Sequence, residues 1–102
     1  MSTLHTVNKS PFERSTFMSC LNHVEPGDTV LMIEDGVVGA RKSGAFASVL
    51  AKAMPGCKVA VLGPDLAARG LKESDLIDGV TVVDYGGFVD LAASHDRTHA
   101  WL

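Results

Sequence analysis

The chain has 102 residues, of which 46% are hydrophobic and 21% charged, and its formal net charge at pH 7 is −3. This composition is too apolar for a disordered protein, and no apolar run approaches the roughly 18 residues of a membrane span. The nine basic residues are scattered, which argues against the basic surface that nucleic-acid binding needs. We therefore expect one globular, cytoplasmic domain, residues 1–102, that contacts neither a membrane nor nucleic acid directly.

The N-terminal part of the chain predicts a strand followed by a helix. Residues 4–7 form a short apolar run that indicates the first strand. Ser10, Pro11 and Glu13 then form a capping-box pattern, which predicts that the first helix begins at this point. The Pro26-Gly27 pair predicts the end of that helix.

The rest of the chain continues this alternation. It predicts strands at residues 28–33, 58–62 and 80–83, and helices at residues 46–53, 66–69 and 88–95. Strands that are apolar throughout and alternate with helices are typical of a buried parallel sheet. We therefore predict an α/β fold, a small three-layer α/β/α domain with a mainly parallel sheet, whose ligand sites would lie at the carboxyl ends of the strands.

A phosphate-binding loop is one candidate site. Residues 36–43 read GVVGARKS and end in Lys-Ser, as a Walker A loop does. Arg41 stands where that motif requires glycine, because a side chain there would obstruct the approach of the phosphates. We expect an ordinary turn leading into a helix, and no nucleotide or other cofactor is predicted.

Two further candidates are a metal site and an acid–base pair. His95 and His99 would share a face if the last helix continued that far, but no third ligand stands at a recognisable spacing, so no metal is predicted. Glu34, Asp35 and Asp84 could gather at the strand ends, where their proximity would shift their pKa values. Such carboxylates more often cap a following helix or face solvent.

The thiols are the remaining candidates. Cys20 lies on the apolar face of the first helix, with His23 one turn further on. Cys20 is either a small buried hydrophobe or a nucleophilic sulfur carrier, and the second role needs a nearby cation because the C-terminal end of a helix disfavours a thiolate. Cys57 stands at the entry of a strand, on the edge opposite the expected site, and is expected to be structural.

Several short segments occur in a characteristic order: Leu4-His5-Thr6-Val7 with Ser10-Pro11, Gly27-Asp28, Glu34-Asp35-Gly36-Val37, the run from Asp65 to Leu71, Asp84-Tyr85 with Phe88-Val89, and Ala100-Trp101. In this order and spacing they resemble the TusB/DsrH family over essentially the whole chain. The resemblance implies a DsrEFH-like fold and a subunit of a cytoplasmic heterohexamer, with DsrE/TusD-like and DsrF/TusC-like chains as partners. It also implies a TusE/DsrC-like protein as the downstream sulfur acceptor.

The resemblance leaves two functions open. DsrEFH-type complexes handle persulfide sulfur during intracellular sulfur oxidation, whereas the TusBCD relay supplies sulfur for 2-thiouridine at the tRNA wobble position. In both, the main persulfide cysteine belongs to the TusD/DsrE chain. A cysteine in the first helix resembles DsrH-like chains, so we expect the DsrH branch with Cys20 as a secondary sulfur acceptor. A TusB-like structural subunit is the alternative.

Hydropathy supports a subunit of a complex. The mean hydropathy of +0.18 is high for so short a chain, which suggests that apolar surface meets a partner. Trp101 is expected to be a packing or interface anchor.

Overall fold

The computed structural model describes residues 2–12 and 15–102. In these residues five strands form one sheet in the order β4-β3-β2-β1-β5, and every neighbouring pair is parallel. The strands are β1 (Thr3–Val7), β2 (Thr29–Met32), β3 (Lys58–Leu62), β4 (Thr81–Val83) and β5 (Arg97–Trp101). The α-helices are α1 (Thr16–His23), α2 (Ala47–Ala53), α3 (Gly63–Ala68) and α4 (Tyr85–Ser94). The predicted α/β fold with a parallel sheet is confirmed.

The two faces of the sheet are covered unequally. One face, which we call the three-helix face, carries α1, α2 and α3, which bury Phe17, Leu50 and Leu66 in one apolar cluster with the strands. The opposite face, which we call the α4 face, carries α4 and a smaller cluster around Leu4 and Leu31. Because β4 and β5 are the two edge strands, α4 must cross the width of the sheet to join them.

The first helix begins later than predicted. Pro11 and Phe12 form a turn in which Ser10 Oγ accepts the Phe12 backbone N–H at 3.2 Å, and α1 begins only at Thr16. The capping-box prediction was wrong in placing the helix start at Ser10, because the hydroxyl stabilises a tight turn instead. Glu13, the second residue of that pattern, lies outside the described residues.

A 3₁₀ helix, Glu34–Ala40, replaces the expected turn after β2. Gly36 approaches β1 so closely that a Cβ there would overlap the Val7 carbonyl oxygen, and a Cβ on Gly39 would lie 2.7 Å from the Phe17 ring. These glycines bring the segment against the core, where Val37 is fully buried. Residues 36–40 of the GVVGARKS segment are therefore packed against the core, whereas residues 41–43 are exposed.

The C-terminal segment differs most from expectation. The last helix spans Tyr85–Ser94 and ends before His95, after which β5 pairs with β1. The idea that His95 and His99 share a helical face was wrong, since His99 lies on β5. The pattern did not indicate β5 because four of its five residues are exposed and most are polar, as an edge strand permits.

In the part of the chain that the structure describes, no helix combines the length and apolar character needed to cross a membrane.

Candidate functional site

The carboxylates at the carboxyl ends of the strands are engaged separately. Asp35 Oδ1 accepts hydrogen bonds from Arg69 Nη2 at 2.8 Å and Nε at 3.1 Å. Asp84 Oδ1 accepts the Gly87 backbone N–H at 2.7 Å and so caps α4. Glu34 contributes its backbone N–H to a bond with the Asp65 carboxylate at 2.6 Å. The acid–base pair considered for Glu34, Asp35 and Asp84 is replaced by one ion pair, one helix cap and one backbone contact.

Cys20 is completely buried, with 0% exposure, on the side of α1 that packs against the sheet. Burial raises the pKa of its thiol from 9.0 to about 12, with smaller contributions from the negative charges of Cys57 and Asp28. A pKa that high leaves roughly one thiol in 10⁵ ionised at pH 7. Both properties oppose the nucleophilic role considered for this residue, because a reactive cysteine needs access and thiolate character.

His23, considered as the activating cation for Cys20, is engaged elsewhere. Its Nδ1 is 2.7 Å from the Ser19 backbone oxygen, so this nitrogen donates to the end of its own helix. Its ring lies 5.3 Å from that of Trp101, measured between centroids.

Cys57 has a structural environment. It is buried directly before β3, and its Sγ lies 3.4 Å from the Ala53 carbonyl oxygen, to which it donates. Burial, followed by the charge of Asp28, raises the pKa of this thiol. The position at the amino end of β3 agrees with the expectation that Cys57 lies on the edge opposite the strand carboxyl ends.

A buried His–Asp pair at this amino edge was not among the predicted sites. Asp28 precedes β2 and accepts three hydrogen bonds: Oδ2 from His5 Nε2 at 2.9 Å and from the Glu25 N–H at 3.0 Å, and Oδ1 from the Thr3 N–H at 2.9 Å. Burial raises the pKa of Asp28, but the bond from His5 and the two backbone bonds outweigh burial and lower it below 3.8. A sequence signal did exist, since His5 is a polar residue within a buried strand and Asp28 directly precedes another.

Trp101 completes this cluster from β5. Its indole Nε1–H donates to His5 Nδ1 at 3.0 Å, and its ring stacks on that of His99 with centroids 4.3 Å apart and planes within 3°. A groove of about 510 Å³, which we call the Trp101 groove, is lined by these residues together with His23, Glu25, Asp28 and Arg97. The groove is polar and lies beside the edge strand.

His95, which was considered together with His99 as a metal pair, has other partners. His95 Nδ1 donates to the Leu91 carbonyl oxygen at 2.7 Å, and its Nε2 lies 2.8 Å from Thr29 Oγ1. Across residues 2–12 and 15–102, no group of three or more His, Cys, Asp or Glu side chains is placed to hold a metal ion.

α4 presents an apolar stripe to solvent. Tyr85 and Val89, which are 60% and 66% exposed, align with exposed Ala93 at a spacing of four residues. We call these three residues the α4 stripe. Phe88 and Leu91 point the other way and pack on the sheet, and a groove of about 600 Å³ beside Leu91 continues towards β3 and β4.

Comparison with known proteins identifies relatives over the full length. The family model described as DsrH like protein matches residues 9–98. The chain is 34% identical to Protein TusB of Pectobacterium parmentieri over 99 residues, covering 96% of this chain and 99% of the relative. It is also 34% identical to Protein TusB of Escherichia coli strain K12 over 98 residues, with the same coverage of both chains.

Two solved structures share the fold. The ychN protein from E. coli has a TM-score of 0.78 at 14% identity and covers 98% of this chain and 99% of its own. The protein MTH1491 from Methanobacterium thermoautotrophicum has a TM-score of 0.76 at 18% identity, with 97% of each chain covered. The sequence matches go further than the fold: this chain belongs to the TusB/DsrH family, the sulfur-relay family that its sequence resembles.

Proposed function

We propose that this chain is a TusB-like, non-carrier subunit of a cytoplasmic heteromeric sulfur-relay complex that supplies sulfur for 2-thiouridine at the tRNA wobble position. The observation that carries the proposal is the complete burial of Cys20, the residue on which the DsrH interpretation depended. The relatives named TusB support the same choice. The sulfur-oxidation role, placed first from the sequence, becomes the second candidate.

The chemistry of sulfur transfer explains why burial decides against a carrier role. A carrier thiolate must attack the outer sulfur of a donor persulfide, and the new persulfide must then reach an acceptor thiol. Both steps need an exposed sulfur with appreciable thiolate character. Cys20 is fully enclosed, and burial raises its pKa to about 12. We assign Cys20 to packing and the carrier role to a TusD/DsrE-like partner.

The α4 stripe supports a role within a complex. Tyr85, Val89 and Ala93 form an apolar ridge that spans about two helical turns, and ridges at this spacing pack into the grooves of another helix. Asp90 is the charged residue of α4 and lies beside Val89 near the middle of the helix. A second copy packed symmetrically on this stripe would bring two Asp90 carboxylates together, which is unfavourable. We therefore assign the stripe to a different chain that carries a basic residue opposite Asp90, consistent with DsrE/TusD-like and DsrF/TusC-like partners.

To test which subunit carries sulfur, the co-expressed complex is incubated with a persulfide donor, and the mass of each subunit is then measured by mass spectrometry. We expect added sulfur on a partner and then on a TusE/DsrC-like acceptor, with the same yield when this chain carries Cys20→Ala. Cys57→Ala is the matched control, since it removes the second buried thiol. Sulfur on this chain that disappears with Cys20→Ala but persists with Cys57→Ala would overturn the proposal and restore the carrier role.

The choice between the two pathways needs a measurement in the source organism. We expect disruption of the gene to deplete 2-thiouridine from tRNA, and the Cys20→Ala chain to restore it. If tRNA thiolation is unchanged while oxidation of stored sulfur stops, the sulfur-oxidation candidate is correct instead.

A further inference from the structure

Both ring nitrogens of His5 are engaged, and the two partners demand opposite roles from them. Nε2 faces the Asp28 carboxylate at 2.9 Å, so it must carry a proton to donate. Nδ1 faces the indole Nε1–H of Trp101 at 3.0 Å, and an indole N–H can only donate. Nδ1 is therefore unprotonated, and His5 is the neutral tautomer with its proton on Nε2. The His5 side chain is 5% exposed, so water does not readily replace either partner.

A second proton on His5 conflicts with this arrangement. It would occupy Nδ1 and place an N–H directly against the N–H of Trp101, where neither group can accept. The Asp28 carboxylate attracts that proton, whereas the Trp101 bond opposes it. The other titratable or charged groups of the Trp101 groove come from three segments: His23 from α1, Glu25 from the turn before β2, and Arg97 and His99 from β5.

Among the residues that the structure describes, the Trp101 bond is one of two hydrogen bonds that join a side chain of β5 to a side chain of β1. Residues 97–100 are exposed and Trp101 is the partly buried residue of the strand. At the other end of β5, Arg97 Nε donates to Thr3 Oγ1 at 2.9 Å. The side-chain bond from Trp101 to His5 thus fastens the C-terminal end of an edge strand whose outer side is unpaired.

We propose that His5 is a proton-sensitive fastening for β5: the neutral ring holds Trp101, and protonation at Nδ1 releases the indole and opens the Trp101 groove. The protonated state keeps the His5–Asp28 ion pair and loses the side-chain bond from Trp101, while the backbone pairing of β5 with β1 remains. This inference does not depend on the sulfur-relay function, since it concerns the chain alone.

The chain permits a direct test because Trp101 is its single tryptophan. Nitrogen NMR of the histidine rings should find His5 at neutral pH with the proton on Nε2. On acidification, the indole N–H resonance of Trp101 should lose the shift of a bonded proton in the same pH range in which His5 takes up its second proton. A neutral His5 with the proton on Nδ1, or an indole resonance that is unchanged while His5 titrates, would overturn the proposal.

Matched variants identify the responsible histidine. His5→Gln retains an acceptor and a donor but cannot titrate, so the indole resonance should become independent of pH. His23→Gln and His99→Gln remove the other rings beside Trp101 and should leave the transition in place. A transition that survives His5→Gln would contradict the proposal.

Discussion

The two faces of the sheet differ in what covers them. On the three-helix face, α1 and α2 place the fully buried residues Phe17 and Leu50 against the strands. On the α4 face, the ten residues of α4 include none that is buried to this extent, and Tyr85 and Val89 face solvent. Apolar burial is the main favourable term in folding, so the three-helix face supplies most of the stability of the chain. The α4 face retains apolar surface that association can still bury.

The largest effect on stability is expected from removing a buried side chain on the three-helix face. Phe17→Ala should lower the free energy of unfolding by about 4 kcal/mol, because a fully buried ring leaves a cavity that the core cannot close. Phe88→Ala on the partly covered α4 face is the matched control and should cost about half as much. Urea denaturation measures both, and Phe17→Leu provides a milder variant if Phe17→Ala does not fold. Equal losses for the two alanine variants would contradict the comparison.

A smaller loss of stability is expected where a backbone segment, and not a side chain, packs against the sheet. Gly36→Ala should destabilise the chain by about 3 kcal/mol, since the added methyl group overlaps the Val7 carbonyl oxygen and the backbone must move. Gly56→Ala is the control, because a Cβ there meets nothing within 4 Å. That variant should be neutral or slightly stabilising, since alanine restricts the unfolded chain. Thermal denaturation distinguishes the two, and a neutral Gly36→Ala would show that the 3₁₀ segment is not held tightly.

The buried carboxylate on the three-helix side should make stability depend on pH. The pKa of Asp28 is lower in the folded chain than the ordinary 3.8, so its contribution is complete above that pH and is lost as pH falls through the lower folded value. Asp28→Asn should cost about 2 kcal/mol at pH 7, because an amide cannot accept all three donors. The difference from the native chain should shrink below pH 4.

Asp84→Asn is the matched control for that prediction. Asparagine is as good a helix N-cap as aspartate, so this substitution at the start of α4 should change the free energy of unfolding by less than about 0.5 kcal/mol. A difference between native and Asp28→Asn chains that stays constant from pH 7 to pH 3 would contradict the assigned role of Asp28.

The smallest effect on stability should accompany the largest effect on association. Ala93→Asp on the α4 stripe and Ala51→Asp on α2 replace exposed helical alanines with the same charge. Each should lower the free energy of unfolding by about 1 kcal/mol, because aspartate is a weaker helix former than alanine and both positions lie in the last turn of their helix. Ala93→Asp should nevertheless prevent co-purification with the partner chains, whereas Ala51→Asp should not. Equal recovery of both complexes would place the partner interface elsewhere.

Local sequence patterns predicted the elements whose buried positions follow the period of a strand or a helix. Residues 58–62 predicted β3 with its observed bounds, because the four residues after the exposed Lys58 are apolar, as burial on both faces of the sheet requires. The helical spacing of residues 46–53 likewise indicated α2, observed as Ala47–Ala53. β5 escaped detection because an edge strand is stabilised by backbone pairing with β1, to which its side-chain pattern contributes little.

For this protein, the sequence by itself determined the α/β alternation, the parallel sheet and the resemblance to the TusB/DsrH family, since periodicity and motif order are local properties. Only the tertiary structure decided the burial and the hydrogen-bond partners of the candidate residues. Cys20 became a buried thiol with a raised pKa, and His5, Asp28 and Trp101 were brought together across 96 residues of chain. Desolvation and hydrogen-bond partners depend on what packs around a group, and residues distant in sequence supply that environment.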